Sequence, residues 1–208
     1  LIEKLLSNCI DAGIHNIVVV TGYNNYIIEE YLNNLSTPIK IDISYNPEWE
    51  LANGVSVLAA KKYISQNEEF MISMSDHFYN SELLKLIKAQ NIDHLIASVG
   101  ADYKINEIHD LSDGMKLHID ENSHLINAMS KNLKIYNAID CGIFKCKYSF
   151  FDYLIKAKQQ GNCSLSDACN LLITERLMGS VDIKNYPWID VDTPEALLFI
   201  EQNPEKYT

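Results

Sequence analysis

The sequence holds one arginine, Arg176, in 208 residues. Any anion site in it must therefore lean on lysine, backbone N–H groups or a metal ion. Bases are scarce altogether, 17 against 28 acids, for a net charge of −11. That balance argues against a nucleic-acid or anionic-membrane surface, since both require basic patches. The five cysteines (Cys9, Cys141, Cys146, Cys163 and Cys169) show no C-x-x-C spacing, which argues against a zinc site. Their odd number, with no stretch that reads as a targeting peptide, points to reduced thiols and a cytoplasmic setting. No apolar run reaches the length of a membrane span. Internal repeats, low-complexity runs and linkers are missing too. What remains is an ordinary globular composition, 47% hydrophobic and 22% charged, expected to form one domain over residues 1–208.

The first half alternates helical and strand patterns. Leu1–Ala12 has apolar residues at helical spacing and stops at Gly13. Asn16–Thr21 carries the run Ile17-Val-Val-Val20, the mark of a strand buried on both faces. A helix is expected over Tyr26–Leu35, a strand over Ile39–Ser44 and a helix over Asn53–Ile64. Phe70–Ser75 reads as a buried strand, Ser81–Gln90 as a helix and His94–Val99 as a strand. Such alternation implies parallel strands with right-handed crossovers. Beyond Gly100 the pattern is mixed. A hairpin is expected from Lys116–Asp120 and His124–Ile126, a strand at Ala138–Lys145, helices at Tyr148–Gln160 and Ser166–Leu177, and a short strand at Val181–Ile183. Trp188–Asp190 then runs into a helix with Thr193 as N-cap and Pro194 at the first position. The fold class expected is α/β, a Rossmann-like mixed and mainly parallel sheet flanked by helices.

Two acidic turns end strands, Ser75-Asp76-His77 and Asp190-Val191-Asp192. In open α/β sheets ligands sit beyond the carboxyl ends of the strands. If these two strands are neighbours, Asp76 and Asp190 converge into a few hard oxygen ligands of the kind that suits Mg²⁺. Asp76 and Asp192 read equally well as helix caps. Asp190 is harder to explain that way, because a carboxylate within an apolar strand is costly to bury unless paired or metal-bound. His77 fits best as a support beside Asp76. The other histidines (His15, His94, His109, His118 and His124) form no metal spacing. Asn53-Gly54-Val55-Ser56 offers a close backbone approach and helix N–H donors to a nucleoside, or is a plain helix start. Asp140 and Gly142 interrupt an apolar strand. The acid there could accept hydrogen bonds from substrate hydroxyls, and the glycine mark a bulge or a close ligand approach. Lys131, on a preceding loop, is either solvated or paired with a substrate phosphate. Cys141 and Cys146 flank the same strand and read as core thiols.

Four stretches, Asn53-Gly-Val-Ser-Val-Leu-Ala-Ala60, Met74-Ser-Asp-His77, Ala138-Ile-Asp-Cys-Gly-Ile-Phe144 and Trp188-Ile-Asp-Val-Asp-Thr-Pro-Glu195, occur in the order seen in archaeal and bacterial CTP:inositol-1-phosphate cytidylyltransferases. The chain resembles that branch of the sugar-nucleotidyltransferase superfamily along nearly all its length. The resemblance implies a glycosyltransferase-A-type fold and transfer of CMP from CTP to inositol-1-phosphate. It implies Mg²⁺ on Asp76 and Asp190, with Asp192 as a further ligand. Asn53, Gly54 and Ser56 would line the nucleoside pocket, joined by Asp76. Lys131 would hold the acceptor's phosphate, and Asp140, with Gly142, its ring hydroxyls.

The resemblance also sets an expectation of truncation. The superfamily begins with a strand, a Gly-rich loop carrying an Arg and a Lys-Pro-Leu stretch, and this sequence starts where that stretch would end. Rival readings within the superfamily are a phosphocholine cytidylyltransferase and a sugar-1-phosphate uridylyl- or thymidylyltransferase. A non-catalytic nucleotide-sugar-binding regulatory protein is the rival from another class. The partners expected are CTP and a small phosphorylated alcohol or sugar, with a homodimer possible and neither nucleic acid nor membrane for this chain.

Overall fold

A computed structural model describes residues 1–108 and 110–207 of the chain, so His109 lies outside the described residues. The elements run α1 (Ile2–Asp11), β1 (Asn16–Thr21), α2 (Asn25–Asn34), β2 (Lys40–Tyr45), α3 (Gly54–Ala59), β3 (Glu69–Ser73), β4 (His77–Tyr79), α4 (Ser81–Lys88) and β5 (Ala97–Asp102). They continue with β6 (Lys116–Ile119), β7 (Ile126–Ser130), β8 (Ala138–Lys147), α5 (Phe150–Gln159), α6 (Leu165–Thr174), β9 (Met178–Asp182), β10 (Trp188–Asp190) and α7 (Pro194–Gln202). Short 3₁₀ turns follow α3, β5 and α7. Among the described residues no helix is long and apolar enough to cross a membrane.

The hub is β8. It pairs antiparallel with β3, β5 and β6, while β9 adds to β5 in parallel and β7 extends β6. Helices cover both faces. On one face Phe144 and Cys146 of β8 pack with Phe150, Phe151, Leu165 and Leu172 of α5 and α6. On the other, Cys141 and Ile143 pack with Leu5 of α1 and Leu83, Leu84 and Ile87 of α4. Strands covered on both sides read as continuous apolar runs rather than alternation, and β8 is buried along nearly its whole length. Cys141 and Cys146 are core residues as expected, and burial raises both thiols well above their ordinary range.

The mixed α/β class stands, but the expected predominance of parallel pairing does not. Among the described residues two of the seven ladders are parallel, β1 with β2 and β5 with β9. Apolar periodicity marks a strand without fixing its direction, and β8 turns three of its neighbours antiparallel. Ile17 and Val19 pack against α1 and α2, yet β1 remains half-buried. Among the described residues its one ladder is to β2. The helix expected over Asn53–Ile64 breaks into α3 and a 3₁₀ turn, Lys61–Tyr63. The second hairpin strand begins at Ile126, because Asp120 Oδ1 accepts from the Asn122 and Ser123 N–H groups and holds a longer turn.

Candidate active site

The two acidic turns meet through a ladder that the sequence did not announce. His77, read as the end of the turn Ser75-Asp76-His77, instead opens a short strand, β4, paired antiparallel with β10. His77 stands opposite Asp190, and the Val191 N–H donates to the Asp76 carbonyl at 3.0 Å. The capping explanation falls for both outer acids. Asn80 caps α4, its Oδ1 accepting from the Leu83 N–H, and Thr193 caps α7, its Oγ1 accepting from the Ala196 N–H. Asp76, Asp190 and Asp192 instead line one cleft of about 370 Å³, a volume in the range of small-ligand sites.

His77 locks this edge. Its Nδ1 lies 2.8 Å from Asp76 Oδ1 and 3.8 Å from Asp190 Oδ1. The imidazole stacks on Trp188, with ring centroids 5.4 Å apart and planes 13° from parallel. Gly142 leaves room for it. A Cβ there would stand 2.3 Å from His77 Cδ2, and the φ of +76° is one that side-chain-bearing residues rarely adopt. The close approach expected at Gly142 is thus to the His77 ring. Behind the stack, Trp188 Nε1 donates to the buried Asp102 at 2.9 Å, and Lys104 gives Asp102 both its N–H and its ammonium, each at 2.8 Å. The His77 hydrogen bond pulls the Asp76 carboxyl below its usual range. Burial pulls the His77 imidazole down, but Asp76, Asp190 and Asp140 outweigh it and raise it overall. Burial, with Asp76, Asp192 and Asp113 adding repulsion against a lowering contribution from His77, raises the Asp190 carboxyl.

This donor set fits a hard divalent cation. Asp190 Oδ1 is buried and has no hydrogen-bond partner. One ligand atom each from Asp76, His77 and Asp190 lies within 4.8 Å of the others, and the same holds for Asp113, Asp190 and Asp192. Asp190 belongs to both groups. Carboxylate oxygens at this density demand positive charge between them.

The facing wall comes from β8 and the β6–β7 hairpin. Asp140 is buried and accepts from the Gly142 N–H at 2.7 Å, and burial pushes its carboxyl up to about 6. Lys131 lines the same cleft and pairs with Asp113, whose two oxygens lie 2.7 and 2.8 Å from its Nζ. Asp113 escaped the sequence reading; its one signal is an Asp113-Gly114 turn dipeptide beside the hairpin.

The Asn53–Ser56 group divides. Asn53 lines the cleft, but its Oδ1 accepts from the Leu165 N–H at 2.8 Å, in the first turn of α6, whose cap is Ser164, and makes no cap bond to its own helix. Gly54 is buried where a Cβ would stand 2.5 Å from the Cys163 carbonyl oxygen. Ser56 Oγ accepts from Asn46 Nδ2 at 3.1 Å. Neither of these two lines the cleft. Their spacing serves helix packing, a long-range need that a local motif does not express.

The family model described as Nucleotidyl transferase matches residues 1–111. The chain belongs to this family. Its members generally use a divalent metal, and nucleotides and sugar phosphates are the kind of substrate they take. A relative named "Bifunctional IPC transferase and DIPP synthase" from Rubrobacter xylanophilus is 26% identical over 208 residues, covering 97% of this chain. The chain spans 44% of that relative's length. Among solved structures, the inositol-1-phosphate CTP transferase from T. maritima superposes with a TM-score of 0.84 at 20% identity, over 99% of this chain and 82% of that one. A UDP-glucose pyrophosphorylase complexed with UDP-glucose gives 0.81 at 14% identity, over 100% of this chain and 87% of that one. At such identities these neighbours share the fold, and the mixed sheet flanked by helices is theirs as well.

Proposed function

We propose that the chain transfers CMP from CTP to a small phosphorylated polyol, inositol-1-phosphate, with release of pyrophosphate. The observation that carries this reading is the convergence of Asp76 and Asp190 across the β4–β10 ladder, facing Lys131 and Asp140 over one cleft. The choice of CTP and of inositol phosphate draws on the names borne by the Rubrobacter relative and the T. maritima neighbour.

In the proposed reaction an oxygen of the acceptor's phosphate attacks the α-phosphorus of CTP. A new P–O–P bond forms, the bond from the α-phosphorus to the oxygen bridging the β-phosphate breaks, and pyrophosphate leaves with that electron pair. A phosphate nucleophile is already ionised at neutral pH, so no general base is needed. Positioning and charge neutralisation do the work. Asp76 and Asp190, with Asp192 beside them, would hold Mg²⁺, which would supply that neutralisation. His77 orients Asp76 and Asp190. Lys131 takes the acceptor's phosphate, and Asp140 takes its hydroxyls while Gly142 fixes the Asp140 carboxylate through its N–H. Asn53 stands at the nucleoside side.

A phosphocholine acceptor finds less support. Recognition of quaternary ammonium uses open aromatic faces. Among the described residues the aromatic rings lining the cleft are Phe144, which is fully buried, and Trp188 and His77, which are stacked on each other. The test supplies each nucleoside triphosphate with each of inositol-1-phosphate, glucose-1-phosphate and phosphocholine, and follows pyrophosphate release. It is run on the 208 residues and on a version extended by natural flanking sequence. CTP with inositol-1-phosphate is expected to be fastest. Equal use of phosphocholine overturns the role of Asp140, and a preference for UTP overturns the substrate assignment.

A further inference from the structure

We propose that Asp113 is a built-in stand-in for the acceptor's phosphate: its carboxylate occupies Lys131 until the phosphate displaces it, and the displaced carboxylate then joins Asp190 and Asp192 around the metal ion. This rests on the assignment of Lys131 as the phosphate anchor. Both oxygens of Asp113 contact Lys131 Nζ, at 2.7 and 2.8 Å. A phosphate would offer the same ammonium oxygens of the same charge, which lysine binds as a point charge. Both side chains are about half exposed, at 50% and 53%, and exposed pairs of this kind are weak enough to open.

The backbones on either side are fixed, so the exchange needs only side-chain rotation. The Asp113 N–H donates to Asp110 Oδ1 and the Gly114 N–H to the Asp110 carbonyl. The Lys131 carbonyl accepts from Lys116 Nζ at 2.8 Å. Asp113 is within reach of a second home, because its carboxylate lies within 4.8 Å of ligand atoms of Asp190 and Asp192. Three carboxylates that close repel one another, and Lys131 now supplies the offsetting charge. When Lys131 turns to a phosphate dianion, Asp113 needs another cation, and the metal is the one at hand. Acceptor binding and metal binding are therefore coupled through this residue.

The experiment measures inositol-1-phosphate binding by calorimetry, in EDTA and in Mg²⁺, for the wild type, Asp113→Asn, Asp192→Asn and Lys131→Ala. In EDTA, Asp113→Asn is expected to bind more tightly than wild type by up to about fivefold, the equivalent of one exposed ion pair. Asp192→Asn removes the same charge without touching Lys131 and should gain less. The improvement brought by Mg²⁺ should be smaller in Asp113→Asn than in wild type. If Asp113→Asn binds no more tightly than Asp192→Asn while Lys131→Ala has lost binding, the stand-in is wrong and the Lys131 assignment survives. If Lys131→Ala binds as the wild type does, the assignment itself falls and the exchange with it.

Discussion

One wall of the cleft is a chain of packed partners, Lys104 to Asp102 to Trp188 to His77 to Asp76, and the facing wall ends in a half-exposed ion pair between Lys131 and Asp113. On the first wall each group is fixed by the one behind it, so its carboxylates meet a ligand already oriented. At the exposed end of the second, the charges of Lys131 and Asp113 hold each other. Preorganised charge belongs where the reacting phosphates must be stabilised without delay. Exchangeable charge belongs where a substrate has to enter and leave.

The sharpest break comes from removing the packed wall's ligands. Asp76→Ala and Asp190→Ala should each lower Mg²⁺-dependent pyrophosphate release by roughly a thousandfold or more, about 4 kcal/mol in barrier. Circular dichroism should show the fold intact. Turnover within about tenfold of wild type, ~1.4 kcal/mol, would remove both residues from the metal site. Next in size is Gly142→Ala, which drives a Cβ into the His77 ring at a φ of +76°. A loss of about 2–4 kcal/mol in urea unfolding is expected, together with reduced turnover. An unchanged midpoint would mean that the wall is less tightly packed than its distances say.

Asp140 tests where the facing wall becomes rigid. Burial holds its carboxyl near 6, above the ordinary value of about 3.9. Between those values the native protein keeps a proton that the unfolded chain has released, so stability falls as pH rises through the window and levels off above it. Asp140→Asn, which retains the acceptor for the Gly142 N–H, should be the more stable protein at pH 8 by about 2–3 kcal/mol. The gap should close by pH 4, and a gap independent of pH would contradict the burial. Trp188→Phe keeps the stack on His77 but deprives Asp102 of its indole donor, for an expected loss of about 1–3 kcal/mol. Full stability in that variant would show that Asp102 is satisfied by Lys104 alone. The smallest effect belongs to the exposed pair. Lys131→Met should leave the urea midpoint within about 0.5 kcal/mol of wild type while raising the KM for the acceptor. A large stability change there would erase the contrast between the walls.

Much of this arrangement is legible in the sequence. An acid placed at the end of an apolar strand is a local signal, and Asp76 and Asp190 carried it. Thr193 before Pro194 announced its own cap. Other features depended on distant partners. The three residues His77–Tyr79 are too short to show a period, and only Trp188–Asp190 alongside makes them a strand. Gly54 reads either as a nucleotide-loop glycine or as part of a plain helix start, but what demands it is the Cys163 carbonyl, far along the chain. Asp113 sits in an ordinary turn, and nothing in its neighbourhood points to Lys131. Strand direction was unreadable because an apolar run looks the same from either end.

The strand that carries Asp140 is also the one gripped by three others, β3, β5 and β6, with helices over both faces. Local opening is rarest where hydrogen bonding and apolar cover are densest. The amide protons of β8 should therefore exchange with solvent only when the whole molecule unfolds, while those around Asp113 exchange through small local openings. The substrate's hydroxyls would then be read by the least fluctuating part of the protein and its phosphate received by an exposed pair of side chains. Heating or mild denaturant would on that basis blunt acceptor capture well before it erased the preference among acceptors.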